Sequence, residues 1–452
     1  MLTFQIEKTK TFFWHYIFAV IIGAVFASCT RSSWGGSGSN LQAPDQPGSS
    51  SSSGGGQCSS PQLSNLEPSS VQGSRWQYRN LPVRFGSEFE FPTVYGQGKE
   101  NDSVPETFVK AVEKMCTSCK SVFTCQFKGK AGSRHIWVSD RKTNRSVQIS
   151  PTADEAVLEV RTNPMTYVEH LEAAPILHVF IFAVTAEMER QKILISSRTE
   201  PNRWSGHVNV SWPGMVWNGE TKDFNRRKEL GKILRFYVDF QNFPELAMGV
   251  LGGDIRNAPP LATFPLKRVA ELKKIVQKFE KEESQPIQDI LTDVFLNQYD
   301  PQFRSLRLLE SPRYSSMNLH LLTLNPTAIS DQERRIEVRS FYAPKTVAET
   351  LAQYRIIQSR LGYLSTLNGN IEVYGRTIPS PQIFRTSGLQ DGVTPEAAAQ
   401  TYIVYLFQGG LDPSEEAQYL VNQQLGQLVR QIWRNHCLPS LRAQNNRIQT
   451  SR

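Results

Sequence analysis

The residues that could do chemistry recur at every second position of short apolar segments. In "GSEFEF", Glu88 and Glu90 alternate with Phe89 and Phe91, and in "LEVRT", Glu159 and Arg161 alternate with Leu158 and Val160. "GHVNVS" sets His207, Asn209 and Ser211 against Val208 and Val210; "RRIEVRSF" sets Arg335, Glu337 and Arg339 against Ile336 and Val338. Successive side chains of a strand point to opposite faces, so each segment predicts a strand with one apolar and one polar face. For any one of them the simplest outcome is a half-buried sheet with a wet side. Taken jointly, the set is unlike a solvated face, where Thr, Lys, Ser and Gln are usual. It holds four Glu, one His, one Asn and several Arg. Carboxylates with an imidazole suit a divalent cation, and guanidinium groups suit phosphate or carboxylate. A curved sheet with these faces turned inward would therefore form a metal and polyanion site.

The elements that must hold these residues follow from periodicity. Strands are expected at "VRFGSEFEF", "AVLEVRT", "GHVNVSW", "MNLHLLTL" and "RIEVRSF", between helices over 104–116, 165–190, 222–249, 265–281, 346–364 and 395–436. Antiparallel strands mixed with helices give an α+β fold class. The chain of 452 residues is 39% hydrophobic and 10% aromatic, enough to bury a large core. Its formal charge of +8 comes from Lys and Arg scattered among Asp and Glu. With no long basic run, the charge gives no argument for nucleic acid as a partner. No signal in the sequence bears on oligomeric state.

The N-terminus carries a separate message. Lys8 and Lys10 precede an apolar core from about Tyr16 to Phe26, too short to span a bilayer comfortably, which ends in Ala27 and Ser28 before Cys29. That layout predicts a secretory signal. Residues 30–75 are rich in Ser, Gly, Pro and Gln, including "GSSSSSGGG", and cannot bury enough apolar surface to offset their ordering entropy. They read as a tether, whose r.m.s. reach would be roughly 35–40 Å. The expected organisation is a signal segment over 1–29, the tether over 30–75, a catalytic-type domain over 76–375, and a C-terminal helical segment over 376–452 packed on it.

Removing Cys29 leaves Cys58, Cys116, Cys119, Cys125 and Cys437. Export would favour a disulfide among Cys116, Cys119 and Cys125, whereas "CTSCKSVFTC" as a metal site lacks an evident fourth ligand. No Gly-x-x-x-x-Gly-Lys-Ser/Thr loop is present. "GVLGGDIRNAPP" at 249–260 reads either as a turn that approaches a ligand or as a helix stop followed by a turn.

"GSEFEF", "GHVNVS" and "RIEVR" resemble, in chain order, the catalytic motifs of the glutamine synthetase and glutamate-cysteine ligase superfamily, particularly the bacterial amidoligases. "LEVRTNPM" and "RYSSMNL" resemble intermediate motifs, so the likeness runs from about Val83 to Leu364. It implies a glutamine synthetase type of fold: a curved, mainly antiparallel sheet with a polar inner face, flanked by helices. It also implies a reaction in which ATP phosphorylates a substrate carboxylate and an amine then attacks the acyl phosphate. By this resemblance Glu88, Glu90, Glu159, His207 and Glu337 hold two or three Mg²⁺ or Mn²⁺ ions, and Arg339 stabilises the transferring phosphoryl group. Arg313 and Arg335 are further phosphate or carboxylate contacts, and Asn318, Asn163 and Asn209 are polar contacts. The partners would be a small-molecule or peptide carboxylate and an amine. Asn209 stands where the family pattern commonly has a second His.

"VFASC" is similar to the bacterial lipobox, in which Cys29 is lipidated, although Phe26 replaces the preferred Leu. The resemblance implies a membrane anchor in the bacterial cell envelope, at the outer membrane rather than the inner because Thr30 is not Asp. The alternatives are an ordinary signal peptide cut nearby or an uncleaved short anchor. Export conflicts with ATP chemistry, because that compartment maintains no ATP pool. Either the chain is not exported, or it uses another donor, or it is a binding protein with a ligase-like fold for an anionic or amino-acid-bearing ligand such as a peptidoglycan peptide.

Overall fold

The computed structural model describes residues 76–96, 103–129, 134–196, 206–211, 335–339, 341, 343–366, 395–419 and 424–437, with short pieces at 217–218, 223–224, 235–236, 239 and 317–318. All of them belong to the unit Gln57–Arg452. The expected signal segment and tether, most of the 222–249 helix, the 265–281 helix and "GVLGGDIRNAPP" lie outside the described residues.

The strands are β1 Arg84–Pro92, β2 Phe123–Lys128, β3 His135–Asp140, β4 Ser146–Asp154, β5 Val157–Thr162, β6 Met165–Thr166, β7 Gly206–Ser211, β8 Trp217–Asn218, β9 Asp223–Phe224, β10 Met317–Asn318 and β11 Ile336–Val338. Nine of them form one open sheet in the order β10-β11-β7-β1-β5-β4-β3-β2, with β6 also pairing β1, while β8 and β9 form a separate pair. Every pairing among the described strands is antiparallel. The fold is thus α+β, with a mostly antiparallel open sheet flanked by helices.

The apolar face of this sheet is the core. Phe89, Phe91, Ile136, Val138, Ile149, Leu158 and Val160 are buried together under α1 (Val104–Ser118) and the helical run that follows β6. Helix α1 begins with Pro105 in its first turn, where a missing N–H costs nothing, and buries Val104, Phe108, Val109 and Val112 along one stripe. A disulfide between Cys116 and Cys125 staples its last turn to β2, and Cys119 is a buried free thiol. The segment expected as one helix over 165–190 starts instead with β6 and continues as α2 Tyr167–Glu172, α3 Ala174–Leu177, a π-helical stretch His178–Ala183 and α4 Val184–Arg190. The start of α2 is set by a capping box: Glu169 N donates to Thr166 Oγ1 at 3.2 Å and Thr166 N to Glu169 Oε2 at 2.8 Å.

A second layer contains α5 Val347–Thr366, α6 Pro395–Gln408, α7 Pro413–Tyr419, α8 Gln424–Ile432 and a last π-helical turn Trp433–Cys437. The expected helix over 395–436 is therefore broken. Gly410 (φ 74°) takes the left-handed turn that ends α6, and Pro413 opens α7. Tyr354 of α5 stacks on Phe85 with centroids 4.7 Å apart and bonds the Ser87 hydroxyl, which holds α5 against the core side of β1. The same helix holds the start of the fold. Gln358 Nε2 donates to Tyr78 O (2.6 Å) and Arg79 O (2.9 Å), while the Tyr78 ring lies so close over Gly362 that a Cβ there would meet it at 2.2 Å.

Candidate metal and anion site

Alternation and register together bring the polar faces into one patch. On β1, Glu88 is paired with His207 of β7 on one side and with Arg161 of β5 on the other, and Glu90 is paired with Glu159. On the far side of β7, Asn209 is paired with Glu337 of β11, which is paired in turn with Asn318 of β10. The apolar alternates Phe89, Val160, Val208, Ile336 and Val338 are buried beneath, so a one-residue slip of any strand would turn its charges into the core.

The His207 ring is the hub. Its Nδ1 lies 3.1 Å from Glu88 Oε2 and 3.0 Å from Glu337 Oε1, and its Nε2 lies 3.4 Å from Glu90 Oε1. Three carboxylates from two strands thus meet one imidazole on a third. Burial alone would depress the imidazole. The bonds to Glu337 and Glu88 and the charge of Glu90 outweigh it and push His207 up to about 10, so at neutral pH the ring is a cation. Burial also works to raise Glu88, but the bond from His207 holds its carboxyl below the ordinary value. Glu90 is raised to about 6 by burial, against the opposing charges of His207 and Arg339. Glu159 is raised too, by burial first and then by Glu88.

Guanidinium groups border this acidic centre. Arg339 Nη1 donates to Glu337 Oε1 at 3.0 Å. Arg335 Nε donates to Asn209 Oδ1 at 2.6 Å, and Asn209 Nδ2 donates to Glu88 Oε1 at 2.9 Å, so Asn209 relays between Arg335 and Glu88. An amide used in this way orients the carboxylate, a task that the imidazole expected at this position by resemblance would perform differently. Arg161 is ion-paired with Glu159 on the same strand. Asn163 is committed elsewhere, since its Oδ1 accepts from Gln148 N at 2.7 Å and ties the end of β5 to β4. Arg313 and Cys29 lie outside the described residues, and of Asn318 only the strand pairing is described.

Two residues of the patch were not assigned to a site by sequence. Asp154 closes the β4 end of the face, where oxygens of Glu90, Asp154 and Glu159 all lie within 4.8 Å of one another. The signal was available in "VQISPTAD", whose alternation puts Ser150, Thr152 and Asp154 on one side. Arg161 was visible on its strand face, but its position beside Glu88 depends on a pairing that local sequence does not disclose.

Ligand atoms of Glu88, His207 and Glu337 also fall within 4.8 Å of one another. The donor set, carboxylate oxygens with one imidazole nitrogen once a cation has displaced its proton, fits Mg²⁺ or Mn²⁺ coordination. Three carboxylates (Glu88, Glu90 and Glu337) meet the imidazole, and Glu159 stands beside Glu90, so the adjoining like charges Glu88–Glu337 and Glu90–Glu159 are where a bound cation would relieve repulsion. Among the described residues no helix is long and apolar enough to cross a membrane. The sequence matches no protein-family model and none of the curated proteins.

Proposed function

We propose that the protein is a carboxylate–amine ligase of the glutamine synthetase type, which uses ATP and Mg²⁺ (or Mn²⁺) to form an amide through an acyl phosphate. One observation carries the reading: a histidine in contact with three glutamates on neighbouring strands of an antiparallel sheet, with Arg339 and Arg335 on the adjoining strand end. Phosphoryl transfer of this kind is mainly positioning and neutralisation of charge. Glu88, Glu90, Glu159, His207 and Glu337 would hold the cation, which when bound supplies positive charge to phosphate and substrate carboxylate. Arg339, bonded to Glu337, presents its guanidinium to the transferring phosphoryl group. Arg335 and Asn209 orient Glu88.

The Cys116–Cys125 disulfide supports the companion reading that the chain is exported, with Cys29 lipidated in a bacterial envelope, because such bonds persist in oxidising compartments. It equally favours the second reading, an envelope binding protein that uses the same polar face without turnover, since ATP is not maintained there. The two separate in one assay. The ligase releases phosphate from Mg²⁺-ATP in the presence of mixed amino acids and amines, and Glu337→Gln and Arg339→Gln abolish that release. Ligand-dependent thermal shifts without phosphate release would instead identify the binding protein.

A further inference from the structure

Beyond β5 the polar face of the sheet changes character. The alternation continues into β4, β3 and β2, and register sets the outward residues in rows: Thr124, Ser139 and Ser146 in one, Gln126, Trp137 and Gln148 in the next, and Lys128 and His135 in the third, where His135 Nδ1 lies 2.7 Å from Ser150 Oγ. Rows lie about 7 Å apart along the strands, so the three cover about 14 Å. Lys128 is the only Lys, Arg, Asp or Glu in them. The alternate residues Ile136, Val138, Val147 and Ile149 are buried in the core with α1 and the helical run after β6, so the rows face away from it.

Trp137 stands at the centre of this strip. It is half-buried on the polar side, with a glutamine as its Cα partner on each neighbouring strand. Among the described residues neither its indole N–H nor the Gln126 amide has a hydrogen-bond partner. Gln148 is held by its Nε2, 3.1 Å from His135 Nδ1 and 3.4 Å from Ser150 Oγ, and its Oε1 takes no part in these bonds. The Ser139 and Ser146 hydroxyls lie 2.6 Å apart.

A rigid aromatic plane among amides and hydroxyls narrows the ligand. Pyranose rings offer C–H faces to such a plane and hydroxyls at their edges to Gln and Ser side chains. A strip with one lysine at its end gives little hold on an anion, and a protein partner would call for a wider apolar centre than a single ring. The base of a nucleotide held by its phosphates at Arg335 and Arg339 does not reach here, because β11 is five strand spacings from β3, about 24 Å along the sheet. Successive rows on one sheet face form an extended surface, which fits a chain whose rings stay in line.

We infer that this strip binds a neutral saccharide, a flat chain of β-linked pyranose rings with one ring stacked on Trp137 and its hydroxyls bonded to Gln126 and Gln148. The site adjoins the acidic centre but uses none of its residues. It goes beyond the ligase reading and does not depend on it.

Calorimetric titration of the full chain with chitotetraose and with cellotetraose tests the inference. The wild type binds at least one of them, and EDTA leaves that affinity within about twofold. Trp137→Ala weakens binding by about tenfold or more, as loss of the stacking plane should, and Trp137→Phe recovers part of the loss. Gln148→Ala, which keeps the ring, weakens it by about threefold or more. Binding of neither saccharide by the wild type overturns the inference, as does unchanged affinity in both Trp137→Ala and Gln148→Ala. Adenosine or maltotetraose bound as tightly as the better β-linked tetramer also overturns it, the first by marking a base platform and the second by showing indifference to chain shape. Saccharide binding by a protein that releases no phosphate from ATP removes the ligase reading and leaves this inference standing.

Discussion

Two of the places where the described residues bury charge are built on opposite principles. In the helical layer, Arg360 of α5 meets Asp239 with Nη2 to Oδ1 at 2.6 Å and Nε to Oδ2 at 2.7 Å. Its Nη1 donates to Gln408 at 2.7 Å, and the guanidinium lies over the rings of Tyr405 (4.2 Å) and Tyr363 (4.9 Å). One positive charge faces one negative charge, with matched fork geometry and aromatic cover. On the sheet, three carboxylates crowd one buried imidazolium, and a fourth, Glu159, adjoins Glu90. A balanced, fully bonded pair is a structural device. The sheet cluster instead sets carboxylate beside carboxylate, Glu88 with Glu337 and Glu90 with Glu159, and that adjoining like charge distinguishes a candidate site from a staple.

The contrast is broken or sharpened most by removing one member from each cluster. Arg360→Ala leaves Asp239 buried and unpaired, for which a loss of about 3–5 kcal/mol is expected. Glu337→Gln relieves repulsion with Glu88 and keeps an amide oxygen to accept from His207 and Arg339, so in the presence of a chelator its loss should be smaller, within about 2 kcal/mol of wild type. Urea unfolding of both variants with EDTA present measures the difference. Comparable large losses would mean that the sheet cluster is also a structural network.

A smaller effect separates the two buried histidines. His207 is kept charged by its carboxylates, whereas His170 is pushed down to about 4 by burial, despite its bond to Thr166 O. His170 is thus neutral in the fold, and the unfolded chain, with an ordinary pKa of 6.5, binds the extra proton between pH 4 and 6.5. Stability from this group is full above pH 6.5 and declines as the pH falls through that window. The expected loss from pH 7 to pH 5 is about 2 kcal/mol. His170→Phe, which keeps an aromatic ring beside Tyr354, should show a pH slope flatter by that amount in urea titrations at the two pH values. An unchanged slope would place His170 in contact with water.

Much of the site could be read from local alternation, because period-two patterning fixes which side chains share a face whatever the strand order. "RRIEVRSF" illustrates this: only Ile336–Val338 is strand, yet Ile336 and Val338 are buried while Arg335 and Arg339 flank Glu337 on the other side. Strands β2, β3 and β4 were not foreseen. In β4 the reason is Pro151, which normally argues against a central strand. The structure accommodates it because β3 pairs with β4 only over Ser146–Ile149, so that Pro151 has a partner strand, β5, on one side alone. The pairing of β1 with both β5 and β7 joins Glu88 to Arg161, 73 positions on, and to His207, 119 positions on, and no local pattern encodes it. The fragmentation of the 165–190 helix was hidden for a different reason: its apolar residues keep a helical period through the π-helical stretch.

The most direct test of the account is a Mn²⁺ titration of the full chain followed by electron paramagnetic resonance. Saturable binding by the wild type is expected, with affinity lower by at least about tenfold in Glu88→Gln and Glu337→Gln, each of which removes a charged ligand from the cluster. Absence of saturable binding in the wild type, or unchanged binding in Glu337→Gln, would contradict the claim that this cluster is a cation site.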